Sequence, residues 1–132
     1  MILVDTSAWI EFDRASGSRT HLRVRSLIAD TDEVAVTEPV IMEVMAGART
    51  LNRERDLRRL MGRFHLLPFR PASHFLGACT IYRRCRARGI TPRGMLDCMI
   101  AAVAQSEGVA LLAQDADMNK IAEVISLQLD RT

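Results

Sequence analysis

Four acidic side chains of this sequence stand among apolar residues, where an ionised carboxylate is costly unless it is paired or bound to a metal. Asp5 follows three aliphatic residues, Glu43 and Asp97 each lie between pairs of apolar residues, and Asp115 comes just after Ala110–Ala113. Carboxylates gathered in one place repel one another, and a divalent cation removes that repulsion. Oxygen ligands without a nearby His or Cys favour Mg²⁺ or Mn²⁺ over zinc. The pattern therefore predicts a metal site that could activate water and neutralise a phosphodiester.

Each of the four acids also has a structural interpretation. Asp5 precedes Thr-Ser and could cap a helix, and Asp115 could be a turn residue before the next helix. Glu43 could form a buried ion pair with an arginine, and Asp97 could favour a helix dipole near an N-terminus. The functional interpretation explains all four with one site, whereas the structural one needs a separate reason for each.

Short apolar runs alternate with longer amphipathic ones along the 132 residues, which suits one domain. Strands are predicted at the following segments: Ile2–Val4, Glu33–Val36, His65–Leu67, Val109–Ala113 and, less strongly patterned, Ser126–Leu129. Helices are predicted between them, the clearest with apolar residues at i, i+3, i+4 and i+7 in 57–64 and 96–103. This alternation favours an α/β fold with a parallel sheet covered on both faces.

The predicted elements bring the acids to one edge of that sheet. Asp5 and Asp115 lie at or just beyond the carboxyl ends of strands. Glu43 lies in the helix after the second strand, and Asp97 lies in the first turn of a later helix. Because sites in open α/β sheets form beyond the carboxyl ends of the strands, the four side chains are expected to meet at that rim.

Basic residues are concentrated in two zones although the net charge is only +2. All of the 18 basic residues except Lys120 are arginine. One zone lies within 49–63 and the other within 83–93. Arginine matches the geometry of phosphate, so the zones predict a polyanionic partner, although charge runs also occur on solvated helix faces. No stretch approaches the roughly 20 apolar residues of a membrane span, and no basic segment precedes Ile2–Val4 as in a signal peptide. A cytoplasmic protein without membrane contact is therefore expected.

Three segments resemble the PIN-domain ribonucleases, and more narrowly the VapC-type toxins of bacterial toxin–antitoxin pairs. They are MILVDTSAWIEF, TEPVIMEVMAGAR and MLDCMIAAVAQSEGVALLAQDADMNKIA, and their order also agrees. The resemblance covers essentially the whole chain and implies a single PIN-like domain over 1–132. It implies a three-layer α/β/α fold with a mostly parallel sheet of four to five strands. It also implies RNA endonuclease activity dependent on Mg²⁺ or Mn²⁺, a homodimer, and inhibition by a cognate VapB-type antitoxin.

The resemblance assigns roles to individual residues. Asp5, Glu43, Asp97 and Asp115 match the acids that bind the metal and carry catalysis in the family. Thr6 and Ser7 match hydroxyl residues that support the metal site, and Asp117 matches an auxiliary acid. Two departures leave the division of roles between Asp115 and Asp117 open. Ala113-Gln114 stands where the family often has Thr or Thr-Arg, and Met118 stands in place of Phe.

If the substrate is RNA, the arginine zones are expected to bind its phosphate backbone. The residues expected to contact the RNA backbone are Arg58, Arg59, Arg83, Arg84 and Arg86. Such residues would hold RNA on either side of the acid site while the metal site cuts it.

Three other functions compete with this hypothesis. A haloacid dehalogenase relative needs DxDxT after the first strand, and the segment that begins at Asp5 lacks the second Asp. A receiver domain needs a lysine after a late strand, and Lys120 lies in the wrong setting. A catalytically inactive PIN-like module that binds RNA or an antitoxin remains the alternative, and metal titration followed by RNA cleavage distinguishes it.

Overall fold

A four-stranded parallel sheet forms the centre of the computed structural model, which describes residues 1–130. Its strands are β1 (Ile2–Val4), β2 (Val34–Val36), β3 (His65–Leu66) and β4 (Ala110–Leu112). Their order across the sheet is β3-β2-β1-β4, and each neighbouring pair is parallel. The parallel α/β sheet predicted from the alternating pattern is confirmed.

The helices lie between and after the strands. They are α1 (Thr6–Asp13), α2 (Arg19–Ile28), α3 (Glu38–Ala46), α4 (Leu51–Met61), α5 (Pro71–Ala87), α6 (Met95–Glu107) and α7 (Ala116–Ile125). A single 3₁₀ turn, Thr31–Glu33, leads into β2. Helix α6 has the predicted bounds, because an apolar stripe fills it and Gly108, with a φ of 65°, ends it in the left-handed conformation.

The connections of the sheet distribute the helices over two faces. The chain steps from β1 to β2 to β3 in one direction and then returns to β4 at the opposite edge. Because parallel crossovers are right-handed, these opposite steps place α1–α4 on one face and α5–α6 on the other. The packing agrees, since α1 contacts α2 and α3, whereas α5 contacts α6 and α7. The result is the three-layer arrangement that was predicted.

Two predicted elements differ from the structure. The proposed strand Ser126–Leu129 is reduced to one bridge between Leu129 and Leu111, because α7 continues to Ile125 and Ser126 then adopts a φ of 54°. Helix α7 begins at Ala116, earlier than the apolar pattern from Met118 indicates. Its start is set by Asp115, whose side chain accepts the Asp117 backbone N–H as an N-cap.

Helix α6 is buried along much of its length. Cys98 and the run Ile100–Ala104 are all buried, and Ala102 packs against Gly77 of α5. A helix with so many buried positions is fixed along its length, so the first turn that carries Asp97 is fixed as well. Within residues 1–130, no helix is both long and apolar enough to cross a bilayer.

Candidate active site

Asp5 stands at the carboxyl end of β1 and serves as the N-cap of α1. Its Oδ2 accepts hydrogen bonds from the Ser7 backbone N–H at 3.1 Å and from the Ser7 hydroxyl at 2.5 Å. The side chain is almost fully buried, and its Oδ1 has no hydrogen-bond partner among the described residues. Burial raises the pKa of Asp5, and the charges of Glu43 and Asp115 raise it further, while the Ser7 bonds lower it. The structural interpretation of Asp5 as a helix cap is therefore confirmed for Oδ2. Its role as a metal ligand stays a prediction, and Oδ1, which has no partner among residues 1–130, is the oxygen that could serve it.

Glu43 lies on α3 and is held from α1. The Thr6 hydroxyl donates to Glu43 Oε1 at 2.7 Å, which joins the residue after the first acid to the second acid. Ser7 makes a further link, because its Oγ accepts the backbone N–H of Gln114 at 2.8 Å. The two hydroxyl residues thus connect the ends of β1 and β4 and the helix that carries Glu43.

Asp97, Asp115 and Asp117 form the more open part of the site. Each offers a carboxylate oxygen, and these oxygens lie within 4.8 Å of one another. The pKa of Asp97 is raised to about 8, first by burial, then by a hydrogen bond with Asp115, and then by the charges of Asp5, Asp115 and Glu43. The side chains that the sequence analysis grouped are therefore close enough to affect one another's charge.

The donor set fits a hard divalent cation. The available groups are carboxylate oxygens, and one of them, Asp5 Oδ1, is buried without a partner in residues 1–130. Burial and the neighbouring carboxylates raise the pKa of Asp5 and of Asp97, so a bound cation would stabilise the ionised forms of both. Oxygen-only coordination is the preference of Mg²⁺ and Mn²⁺.

A family model for the PIN domain matches residues 2–124, which include every acid of this site. The chain belongs to the PIN domain family. Ribonuclease VapC11 of Mycobacterium tuberculosis is 40% identical over 129 residues, covering 97% of this chain and 96% of that protein. A VapC ribonuclease of Mycobacterium bovis has the same identity and coverage. Family membership thus agrees with the resemblance seen in the sequence.

Solved structures share the fold of this PIN domain at low sequence identity. A chain of VapBC2 from Rickettsia felis, bound to a promoter DNA fragment, has a TM-score of 0.75 at 16% identity, covering 98% of each chain. A chain of DNA-bound VapBC from Salmonella typhimurium has a TM-score of 0.73 at 21% identity, covering 98% of this chain and 96% of that one. These likenesses confirm the PIN-like α/β fold.

Arg93 is the residue of this PIN domain that the sequence analysis missed as part of the site. Its Nε donates to Asp117 Oδ2 at 3.0 Å, its backbone N–H donates to the same oxygen at 3.2 Å, and its Nη2 lies 3.7 Å from Asp115 Oδ1. The bonds from Arg93 lower the pKa of Asp117. The sequence placed Arg93 only in a basic zone, because its contact is with Asp117, 24 residues further along the chain.

The arginines expected to bind RNA have different surroundings. Arg58 pairs with Glu54 one helical turn earlier at 2.7 Å, and Arg84 Nη2 donates to the Val124 carbonyl at 3.1 Å. Arg86 lies over the ring of Tyr82 at 5.8 Å from its centre. Arg59 and Arg83 are exposed. Contact with RNA stays a prediction for these residues, and Arg84 also has a structural role at the end of α7.

An apolar groove begins beside the acid site. A cavity of about 430 Å³ lies between α1, α3 and α4, and its apolar lining includes Trp9, Ile10, Phe12, Val44, Leu57 and Leu60. Glu43 forms part of its wall, and Arg49 and Arg53 also line it. The groove therefore leads from an apolar surface to one of the site carboxylates.

Proposed function

We propose that this PIN domain is an endoribonuclease that hydrolyses RNA phosphodiester bonds with Mg²⁺ or Mn²⁺ bound by carboxylates. The observation that carries the proposal is the convergence of Asp5, Glu43, Asp97 and Asp115 from separate segments at one rim of the sheet. The identity of 40% to proteins named as ribonucleases supports RNA as the substrate class. These four acids are the proposed metal-binding and catalytic residues.

The protein's own groups prepare the site for the cation. When bound, the ion would supply an activated water and positive charge for the phosphodiester. Asp5 and Asp97 would hold it, with Glu43 and Asp115 completing the acid set. Ser7 fixes the Asp5 carboxylate through Oδ2, and Thr6 fixes Glu43 through Oε1. Carboxylates held in this way need no rearrangement to accept a cation.

The same protein is proposed as the toxin of a type II toxin–antitoxin pair. The similar solved structures carry the names of VapBC complexes, and the relatives are named as VapC ribonucleases. The proposed partner is a VapB-type antitoxin whose apolar helix lies in the groove between α1, α3 and α4. From there an antitoxin arginine could reach the carboxylate of Glu43. A homodimer acting on RNA in the cytoplasm completes the proposal.

The test is cleavage of total RNA by the purified protein. The wild type with Mn²⁺ or Mg²⁺ is expected to give discrete cleavage sites, which sequencing of the 5′ ends would map. EDTA and the Asp5→Asn variant should each abolish them, and circular dichroism should show that the variant is folded. Cleavage that persists in EDTA would refute the metal mechanism. A folded wild type that binds RNA but does not cut it with either metal would favour the inactive binding module.

A further inference from the structure

Arg93 is placed at the mouth of the acid site by two separate bonds to one oxygen. Its backbone N–H and its Nε both donate to Asp117 Oδ2, so Asp117 fixes the main chain and the side chain of Arg93 together. Pro92, the preceding residue, is buried and anchors the loop at that point. A residue held at both ends in this way has a defined position although its side chain is 83% exposed.

The bonding leaves the outer end of the guanidinium available. A guanidinium has five N–H donors in a planar fork, and Asp117 uses the one on Nε. Nη2 lies 3.7 Å from Asp115 Oδ1, which is ion-pair distance but too long for a hydrogen bond. The remaining donors therefore have no hydrogen-bond acceptor among residues 1–130, and they lie beside a carboxylate of the proposed metal site.

The negative charge of the site would repel an RNA phosphate, and a positively charged side chain beside it would reduce that repulsion. RNA must bring a negative phosphodiester against the carboxylates of Asp5, Glu43, Asp97 and Asp115, and one divalent cation cannot offset all of them. Arg93 lies at ion-pair distance from Asp115 of this cluster, and an arginine fork can bind two phosphate oxygens at once.

We propose that Arg93 binds the scissile phosphate, and that Asp117 acts as the positioning residue for Arg93 rather than as a metal ligand. This inference rests on the proposed ribonuclease function and divides the roles of Asp115 and Asp117. Asp115 belongs to the metal site, and Asp117 acts through the arginine. Donors aimed at developing charge in a transition state typically contribute a factor of about 10² to 10³ in rate.

The first experiment separates a phosphate contact from a role in metal binding. Arg93→Gln should lower kcat about 100-fold or more on an oligoribonucleotide that spans a mapped cleavage site, with KM changed less than about threefold. Mn²⁺ affinity, followed by the electron paramagnetic resonance of free Mn²⁺, should be unchanged or tighter, because a neighbouring positive charge is lost. Arg25→Gln, which removes an exposed arginine of α2, is the matched control and should leave all three quantities unchanged. A kcat within threefold of wild type, or clearly weaker Mn²⁺ binding, would overturn the assignment of Arg93.

The second experiment asks whether Asp117 acts through Arg93. Asp117→Ala should lower kcat while Mn²⁺ affinity stays within about threefold, and the double variant with Arg93→Gln should be no slower than Arg93→Gln alone. Multiplied losses in the double variant, or tenfold weaker Mn²⁺ binding by Asp117→Ala, would overturn the positioning role. Failure of the proposed function looks different: the wild type itself would then cut no RNA with Mn²⁺ or Mg²⁺.

Discussion

At the scale of single residues, burial and neighbouring acids both act on the carboxylates of the site. Asp5 is nearly inaccessible to water and still lies within the electrostatic reach of Glu43 and Asp115. Burial raises the pKa of Asp97 to about 8, and the adjacent carboxylate of Asp115 contributes to that rise. Removing a bound cation is therefore expected to favour protonation of Asp97.

The raised pKa of Asp97 predicts how the stability of the fold in EDTA depends on pH. The pKa of Asp97 is raised from 3.8 to about 8, so between those values the folded state holds a proton that the unfolded state has released. The stability of the metal-free protein should therefore fall as pH rises from 5 to 8.5. Thermal unfolding in EDTA should show the Tm decreasing over this range by more than about 3 °C.

Asp97→Asn is the control for that measurement, because it removes the titrating group and keeps its shape. The variant should have a flatter pH profile and a higher Tm than the wild type at pH 8.5. A wild-type profile that is level, or parallel to that of the variant, would contradict the raised pKa.

A second prediction concerns the loss of RNA cleavage when the hydrogen bond from Thr6 to Glu43 is removed. Thr6→Val keeps the side-chain shape but removes the hydroxyl that donates to Glu43 at 2.7 Å. Losing a group that orients a ligand typically costs about 10- to 100-fold in activity or metal affinity, so cleavage should fall by about tenfold. Glu43→Gln, which alters the acid itself, should cost about 100-fold or more. Thr6→Ser retains the hydroxyl and should remain near wild type; equal activity of the Val and Ser variants would exclude a role for the bond.

At the scale of elements, helices with a repeating apolar pattern could be predicted from the sequence. Features that depend on one hydrogen bond could not. The apolar stripe of α6 repeats every three to four residues, so its bounds and the position of Asp97 could be predicted. The start of α7 could not, because a cap bond from Asp115 sets it rather than an apolar pattern. The contact of Arg93 with Asp117 joins residues 24 apart and follows no period, so only the folded chain shows it. The four acids could be grouped from the sequence because each stands near apolar residues, and their catalytic role stays a prediction.

Two neighbouring arginines of the second basic zone, Arg83 and Arg84, have different expected roles, because only Arg84 donates a hydrogen bond to α7. Arg84 donates to the Val124 carbonyl near the end of α7, where a positive charge also favours the helix dipole. Arg84→Gln should therefore lower the Tm by about 2–5 °C. Arg83→Gln, a neighbouring exposed position, should leave the Tm unchanged and reduce the log–log salt slope of RNA binding by about 0.7. Equal melting temperatures of the two variants would contradict a structural role for Arg84. An unchanged salt slope for Arg83→Gln would show that Arg83 does not contact the RNA backbone.

At the scale of the whole molecule, the acid rim and the apolar groove adjoin at Glu43. The rim collects side chains from both sides of the sheet, whereas the groove belongs to the face formed by α1, α3 and α4. A single partner segment could therefore fill the groove and reach the carboxylates without competing for the whole RNA surface. This geometry allows binding of an antitoxin and cleavage of RNA to be separated by substitution.

A substitution at Ile10 is expected to weaken antitoxin binding without affecting RNA cleavage. Ile10 lines the groove, and 47% of it is exposed, so a charged side chain there need not disturb the core. Ile10→Glu should weaken binding of the proposed VapB-type antitoxin by at least about 30-fold, equivalent to about 2 kcal/mol, because the charge would be buried under an apolar helix. Cleavage of RNA in the absence of the antitoxin should stay near wild type. Leu22→Glu is the matched control, since Leu22 is 44% exposed on α2 and does not line the groove. Isothermal titration calorimetry should find full affinity for the Leu22 variant; equal affinity for the Ile10 variant would place the antitoxin on another surface.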